Sequence, residues 1–341
     1  MKIEITKEIL QNILSSYGID EKITEFSHFI TGDNGEGDIK YITSVTTERG
    51  RYVVKLVRQR QKFKRAIEDQ CVFSEYLRNN GILTPRHYTC RGRYRTDARV
   101  GEYILNVTVE DYIGEEMKLL TAPLARRIGE LMGKMHTLSE RGNCHIYRGE
   151  VIFNLVGYNE VNGYNSLLHM ARAGKLGSAV KDGASALARI KRANSRIMRA
   201  IRQGFTGLPV YAVQGDISIN NLTLVDGELA VFDYNIAGDL PLLSDMILEG
   251  LLTAHEMDRE DGLTVEGAYS EFESGYFSVR PLTDAEAAIY KTALDYSEAL
   301  WFSKISEYFN GSVGALQKNG DTDGASRQLE SIASSLEAIE A

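Results

Sequence analysis

One polar stretch, residues 212–235, holds the side chains best suited to chemistry: AVQGDISINNLTLVDGELAVFDYN. Val210, Tyr211, Ala212 and Val213 read as one buried strand, and Leu229, Ala230, Val231 and Phe232 as a second. Asp216, Asn220, Asn221 and Asp226 lie between them, and Asp233 closes the second. Carboxylates and carboxamides at the lip of buried strands are costly to desolvate unless something pairs with them. A hard divalent cation takes such oxygen donors. Far upstream, Lys55 stands in RYVVKLV among strong strand formers. A lone ammonium there would be expensive, which calls for an acid on the next helix or a phosphate.

Phosphoryl transfer from ATP uses parts of these types. A cation sits against the triphosphate, divalent metal bridges its oxygens, and a carboxylate receives the hydroxyl proton and aims the nucleophile. Magnesium keeps several waters, so one or two carboxylates and a carboxamide suffice from the protein. On this reading Asp216 is the base, Asn221 and Asp233 are metal ligands, and Lys55 holds phosphate. Each residue alone has a plain structural explanation; Asp and Asn, for example, commonly build turns. The weight lies in the joint order: a strand lysine, an acid on the following helix, Asp-x-x-x-x-Asn, and an Asp after one more strand.

The elements that must position these residues divide the chain in two. Leu10, Ile13, Leu14 and Tyr17 form a helical stripe. ITEFSHFI and DIKYITSVTT read as strands around the Gly-rich turn TGDNGEGD, and RYVVKLV follows as a third strand. A helix is predicted from about 60 to 79, with Gly81 just past its end. HYTCRGRYRTDARVGEYILNVTVED reads as a hairpin or strand pair. From about 117 the period changes: PLARRIGELMGKMHTLSER puts Leu124, Ile128, Leu131, Met132 and Met135 on one face. Helical patterns cover 162–203, 243–257, 264–277, 284–308 and the tail, leaving 212–235 as a β island. The expected fold is α+β and bilobal: a β-rich nucleotide lobe over 1–107, a connector at 108–116, and a mainly helical catalytic and substrate lobe over 117–341. A crevice between two lobes is a common home for a ligand.

With these residues in order, the chain resembles the aminoglycoside phosphotransferase and choline kinase family, small-molecule kinases with a protein-kinase-like fold, over about residues 22–305. The family's His-Gly-Asp, four residues and Asn is here Gln214-Gly215-Asp216-Ile217-Ser218-Ile219-Asn220-Asn221. The resemblance implies Asp216 as catalytic base, Asn221 as metal ligand, and Asp233 of FDYN as the second ligand. It implies Lys55 as the ATP-phosphate lysine, with Glu68, or less favourably Asp69, as its acidic partner from the following helix. Adenine would meet the connector around Glu110, Asp111 and Tyr112, and Asp245 of GDLPLLSDMI would brace the catalytic loop. Two positions depart from the family. Gln214 replaces a histidine that orients the loop, a task Gln can perform because it both donates and accepts. Ser218 replaces a histidine on the substrate side.

The resemblance and the residues together point to an ATP-dependent, Mg²⁺-dependent phosphotransferase acting on a hydroxyl of a small molecule, with GTP as the alternative donor. Two other readings share the same residues: a kinase specific for aminoglycoside-type antibiotics, and a non-catalytic nucleotide-binding regulatory module. The net charge of −8 on 341 residues repels polyanions, which excludes nucleic acid as a natural partner and mildly favours a cationic acceptor. Acids in HEMDRED and EFESGY could line a pocket for such a cation. His136 is expected to be a hydrogen-bonded core residue. Three cysteines without C-x-x-C spacing fit a reducing, cytoplasmic setting, and no apolar run is long enough to span a bilayer.

Overall fold

A computed structural model describes residues 4–33, 38–58, 64–149, 151–172, 183–217, 219–309 and 322–340. Ser218 and residues 34–37 of the Gly-rich turn lie outside the described residues.

Helix α1 (Lys7–Ser16) begins where the Thr6 hydroxyl accepts from Ile9 N at 3.3 Å. Its stripe, Leu10, Ile13 and Leu14, is buried against a five-stranded sheet. The strands are β1 (Ile23–Asp33), β2 (Ile39–Thr47), β3 (Arg51–Arg58), β4 (Thr96–Val100) and β5 (Tyr103–Asp111), in the antiparallel order β1-β2-β3-β5-β4. Strand alternation sends Val54 and Leu56 into the core shared with α1 and leaves Lys55 on the opposite face. Lys55 lies across from Thr108, and Val53 from Glu110, so Glu110 is a diagonal neighbour of Lys55 on that face.

Helix α2 (Lys64–Asn79) follows β3, yet Ala66, Phe73 and Leu77 join the larger hydrophobic core, not that of the sheet. The Phe73 ring meets Tyr234 edge-on at 6.0 Å. That core is built by α3 (Ala122–Arg141), α4 (Tyr164–Arg172), α5 (Gly183–Gly204), α6 (Leu242–Glu256), α7 (Val265–Val279), α8 (Asp284–Ala299), α9 (Phe302–Phe309) and α10 (Thr322–Ala338). Helices α3 and α7 touch backbone to backbone through glycine. A Cβ on Gly129 would fall 2.0 Å from Phe272 O, and one on Gly275 2.0 Å from Arg126 O. Among the described residues no helix is long and apolar enough to cross a membrane.

The β island differs from the expected single hairpin. β6 (Val210–Val213) pairs with β9 (Gly238–Pro241), while β7 (Leu222–Val225) and β8 (Glu228–Val231) form their own hairpin. GDLP, just before the helix expected over 243–257, is therefore a strand. Its four residues are too short to show a period, and the Pro sits at its end, where a missing N–H is tolerated.

Candidate active site

Asp216 and Asn221 lie on the loop between β6 and β7, and Asp233 follows β8. Two contacts lace the two segments together, and a third steadies the first of them. The Gln214 side chain accepts from Asp216 N (2.7 Å) and donates to Asp233 O (2.8 Å), and Phe232 N donates to Asn221 O (2.9 Å). Gln214 is 1% exposed and thus performs the loop-orienting task expected of it. Asn221 Nδ2 donates to Asp216 Oδ2 (2.9 Å) and Asp216 O (2.8 Å). Among the described residues no hydrogen bond engages Asn221 Oδ1, the oxygen a hard cation would take. Asp233 has a left-handed φ of 57°, a conformation that Asp tolerates and that clusters at functional sites. Its Oδ2 accepts from Asn235 Nδ2 (3.1 Å).

The small lobe brings Lys55 to the same place. Its Nζ lies 3.1 Å from Asp233 Oδ1 and 2.8 Å from Glu110 Oε1. Burial opposes the ammonium's charge, but Asp233 and Glu110 hold it above the usual lysine range. Burial likewise pushes the Glu110 carboxyl up, yet Lys55 and His87 hold it down at about 2. The expected lysine partner, Glu68, is corrected by this geometry. Its carboxylate accepts from Tyr94 N (3.1 Å) and Arg95 N (2.8 Å), and Asp69 accepts from Tyr147 N (3.2 Å). The residue of α2 that reaches the site is instead Gln70, which donates to Asn235 O (3.0 Å) and Ala237 O (2.9 Å).

Of the residues expected at the purine, Glu110 and Asp111 end β5 and Tyr112 directly follows it. The Asp111 amide donates to Arg86 O and the Tyr112 amide to Arg51 O, both at 3.0 Å. The Asp111 carboxylate accepts from Tyr88 Oη at 2.9 Å. The Tyr112 ring stands between the Arg51 guanidinium, 3.7 Å away, and the Phe29 ring, stacked at 6.2 Å. Just beyond, the connector presses against β7. Gly114 has φ 153°, and a Cβ there would fall 2.4 Å from Thr223 Oγ1, so only glycine fits.

Behind the loop that carries Asp216, the brace is one helical turn from where it was expected. Asp245 Oδ2 pairs with His136 Nε2 (2.9 Å), and His136 Nδ1 with Tyr276 Oη (2.8 Å), tying α6, α3 and α7 together. His136 is the core residue expected. Glu249, fully buried, accepts from Ile217 N at 2.8 Å and so holds the residue after Asp216. Burial, with Asp245 and Asp216 close by, pushes the Glu249 carboxyl well above its usual range. The acids expected around a cationic acceptor are largely committed elsewhere. Glu256 accepts from Trp301 Nε1, Glu260 from Ala122 N, Glu273 from Tyr290 Oη, and Glu271 pairs with Arg126.

The structure brings together Lys55, Asp216, Asn221 and Asp233, the residues singled out in the sequence, and sets Gln70, His87 and Glu249, which the sequence did not single out, around them. Gln70 directly follows the two acids weighed for its helix. His87 and Glu249 carry no spacing signal, because their partners lie on other elements.

A carboxyl whose folded pKa lies below its unfolded value binds fewer protons when native. Its stabilisation is present above the unfolded value and is lost as pH falls through the folded one. Glu75, Glu110 and Glu298 each fall from 4.5 to about 2. The melting temperature should therefore drop progressively as pH falls below about 4.5. Thermal melts from pH 7 to pH 3 check it, and Glu110→Gln should flatten that acid limb.

The sequence profile described as the phosphotransferase enzyme family matches residues 42–282, well over half of the chain. No curated protein sequence matches. Two solved structures resemble the fold over nearly its whole length. A microcompartment-associated aminopropanol kinase has a TM-score of 0.59 and 14% identity, covering 97% of this chain and 95% of that one. An amicoumacin kinase, solved with AMP-PNP, Ca²⁺ and Ami, has a TM-score of 0.57 and 16% identity, covering 97% and 96%.

Proposed function

Since the chain belongs to the phosphotransferase enzyme family, we propose that it transfers the γ-phosphate of ATP to a hydroxyl of a small molecule at the site formed by Lys55, Asp216, Asn221 and Asp233. The observation that carries this reading is the meeting of Lys55 and Asp233 at 3.1 Å, although 178 positions separate them in the chain. The amicoumacin kinase complex, with its adenine nucleotide analogue and divalent cation, supports the same pair of ligands here.

The donor set fits magnesium. Asn221 Oδ1 and the Asp233 carboxylate are hard oxygens, and among the described residues no group of three or more His, Cys, Asp or Glu forms an all-protein cage. Asn221 and Asp233 would hold Mg²⁺, which would supply positive charge against the phosphate oxygens. Lys55 holds the α/β-phosphates, and Glu110, 2.8 Å from its Nζ, keeps the ammonium aimed. Asp216 accepts a hydrogen bond from the acceptor hydroxyl, aligns it with the γ-phosphate, and takes its proton as the new O–P bond forms. Gln214 and Glu249 fix the backbone on either side of Asp216, so the base is placed before substrate arrives. The purine's backbone partners are the Asp111 carbonyl, at the end of β5, and the Ile113 amide beyond it, because the amides of Asp111 and Tyr112 are already bonded.

Titration calorimetry with Mg-ATP, followed by an ATP-consumption screen over amino alcohols, sugars and aminoglycosides, tests the reading. Saturable, Mg²⁺-dependent binding and a phosphorylated product from one acceptor class are expected. Absence of Mg-ATP binding would overturn the site assignment. Binding without product from any acceptor would favour the non-catalytic module.

A further inference from the structure

Residues 86–88 run beside the end of β5. Tyr88 N donates to Val109 O at 2.9 Å, Asp111 N donates to Arg86 O at 3.0 Å, and His87 bridges Glu110 in antiparallel register. This backbone frame turns the His87 ring, 5% exposed at its side chain, onto Glu110, with Nε2 lying 3.1 Å from Oε2. The other oxygen of Glu110 holds Lys55. On the far side, Glu75 Oε1 accepts from His87 N at 2.6 Å and stands 3.8 Å from Nδ1. Arg78 forks onto Glu75, with its closest contact at 2.9 Å. Five charge-bearing side chains thus alternate in sign from the surface of α2 to the cleft: Arg78, Glu75, His87, Glu110 and Lys55.

Burial alone would favour neutral imidazole, but Cys71, Glu110 and Glu75 raise its pKa well above the usual histidine range. The ring lies between two carboxylates, and Glu110 is met on its two oxygens by Lys55 and by His87. A charged acceptor with donors on two sides has little freedom to rotate, because charge-assisted bonds are short and directional.

We infer that His87 is a positioning residue for the phosphate lysine: through Glu110 it holds Lys55 Nζ where the triphosphate will lie, the task expected of an acid on α2. This rests on the reading of Lys55 as the triphosphate cation. It goes beyond that reading in assigning the lysine's geometry to a histidine that touches no substrate.

Mg-ATP affinity, read by calorimetry on the full chain, tests the inference without needing the acceptor. His87→Leu should weaken Mg-ATP binding about tenfold, and His87→Gln, which still reaches Glu110 with an N–H donor, should restore most of it. In a Glu110→Gln background His87→Leu should add less than about twofold, since coupled residues are not additive. Wild-type affinity in His87→Leu, or its full effect persisting in the Glu110→Gln background, would overturn the proposal. If His87→Leu does not fold, His87→Asn replaces it. Asn falls short of Glu110, so it should bind Mg-ATP about tenfold more weakly than His87→Gln; equal affinity overturns the proposal. A Lys55→Ala variant that binds Mg-ATP like wild type would instead sink the lysine assignment itself.

Discussion

Asp216→Asn should lower kcat about 10³-fold, within the range that a positioned general base contributes. Its Mg-ATP dissociation constant should stay within about threefold of wild type, well under 1 kcal/mol. The substitution keeps the shape of the side chain and one oxygen that can accept from Asn221 Nδ2, which lies 2.9 Å from Asp216 Oδ2. It replaces the other oxygen, where the acceptor's proton must go, by an NH₂ group with no basic lone pair. Binding survives because Lys55, Asn221 and Asp233 remain, and because Gln214 and Glu249 still hold the loop by main-chain contacts. The distinguishing result is a loss in kcat with little change in the KM for ATP, the pattern of an interaction made chiefly in the transition state. Turnover of Asp216→Asn at the wild-type rate on the true acceptor would remove Asp216 from the mechanism.

The second large effect is structural. Gly275→Ala and Gly129→Ala should each destabilise the chain by about 3 kcal/mol, the upper end for overpacking a closely packed core. The obstructing atoms are the reason. The new methyl meets Arg126 O in one case and Phe272 O in the other, each 2.0 Å away. A carbonyl inside a helix cannot swing aside like the end of a flexible side chain. The two helices must part, and with them His136 on α3 and Tyr276 on α7, which hold Asp245 behind the catalytic loop. Calorimetric melting measures it: a fall in Tm of at least about 5 °C is expected, on the scale that links stability to Tm in larger domains. An unchanged Tm would show that the seam is looser than its geometry.

These two cases mark what a linear reading of the chain reaches. Asp216 and Asn221 were legible because their chemistry is carried by a spacing of five along one loop. Asp233 was legible because it ends an apolar strand, and Lys55 because a buried ammonium needs a partner. The identity of that partner was not legible: Glu110 meets Lys55 diagonally across two strands, and such a pairing has no signature in either segment. The helical stripes of α1 and α3 were plain from their period, whereas the glycines of the α3–α7 contact read only as small residues within helices. β9 was missed because four residues ending in Pro look like the approach to a helix. The placement of α2 escaped for a similar reason. Its apolar residues show that it buries a face but not which of two cores receives it.

Helix α2 leaves β3 but anchors Phe73 and Leu77 in the other lobe's interior. The same helix also holds the sheet side, where its Glu68 and Glu75 accept from Tyr94 N, Arg95 N and His87 N. One helix therefore grips both halves of the molecule, and the Lys55–Asp233 contact closes the gap it spans. Because Glu110 holds Lys55 from within the same sheet, a nucleotide entering there would meet an ammonium whose direction is set before it arrives.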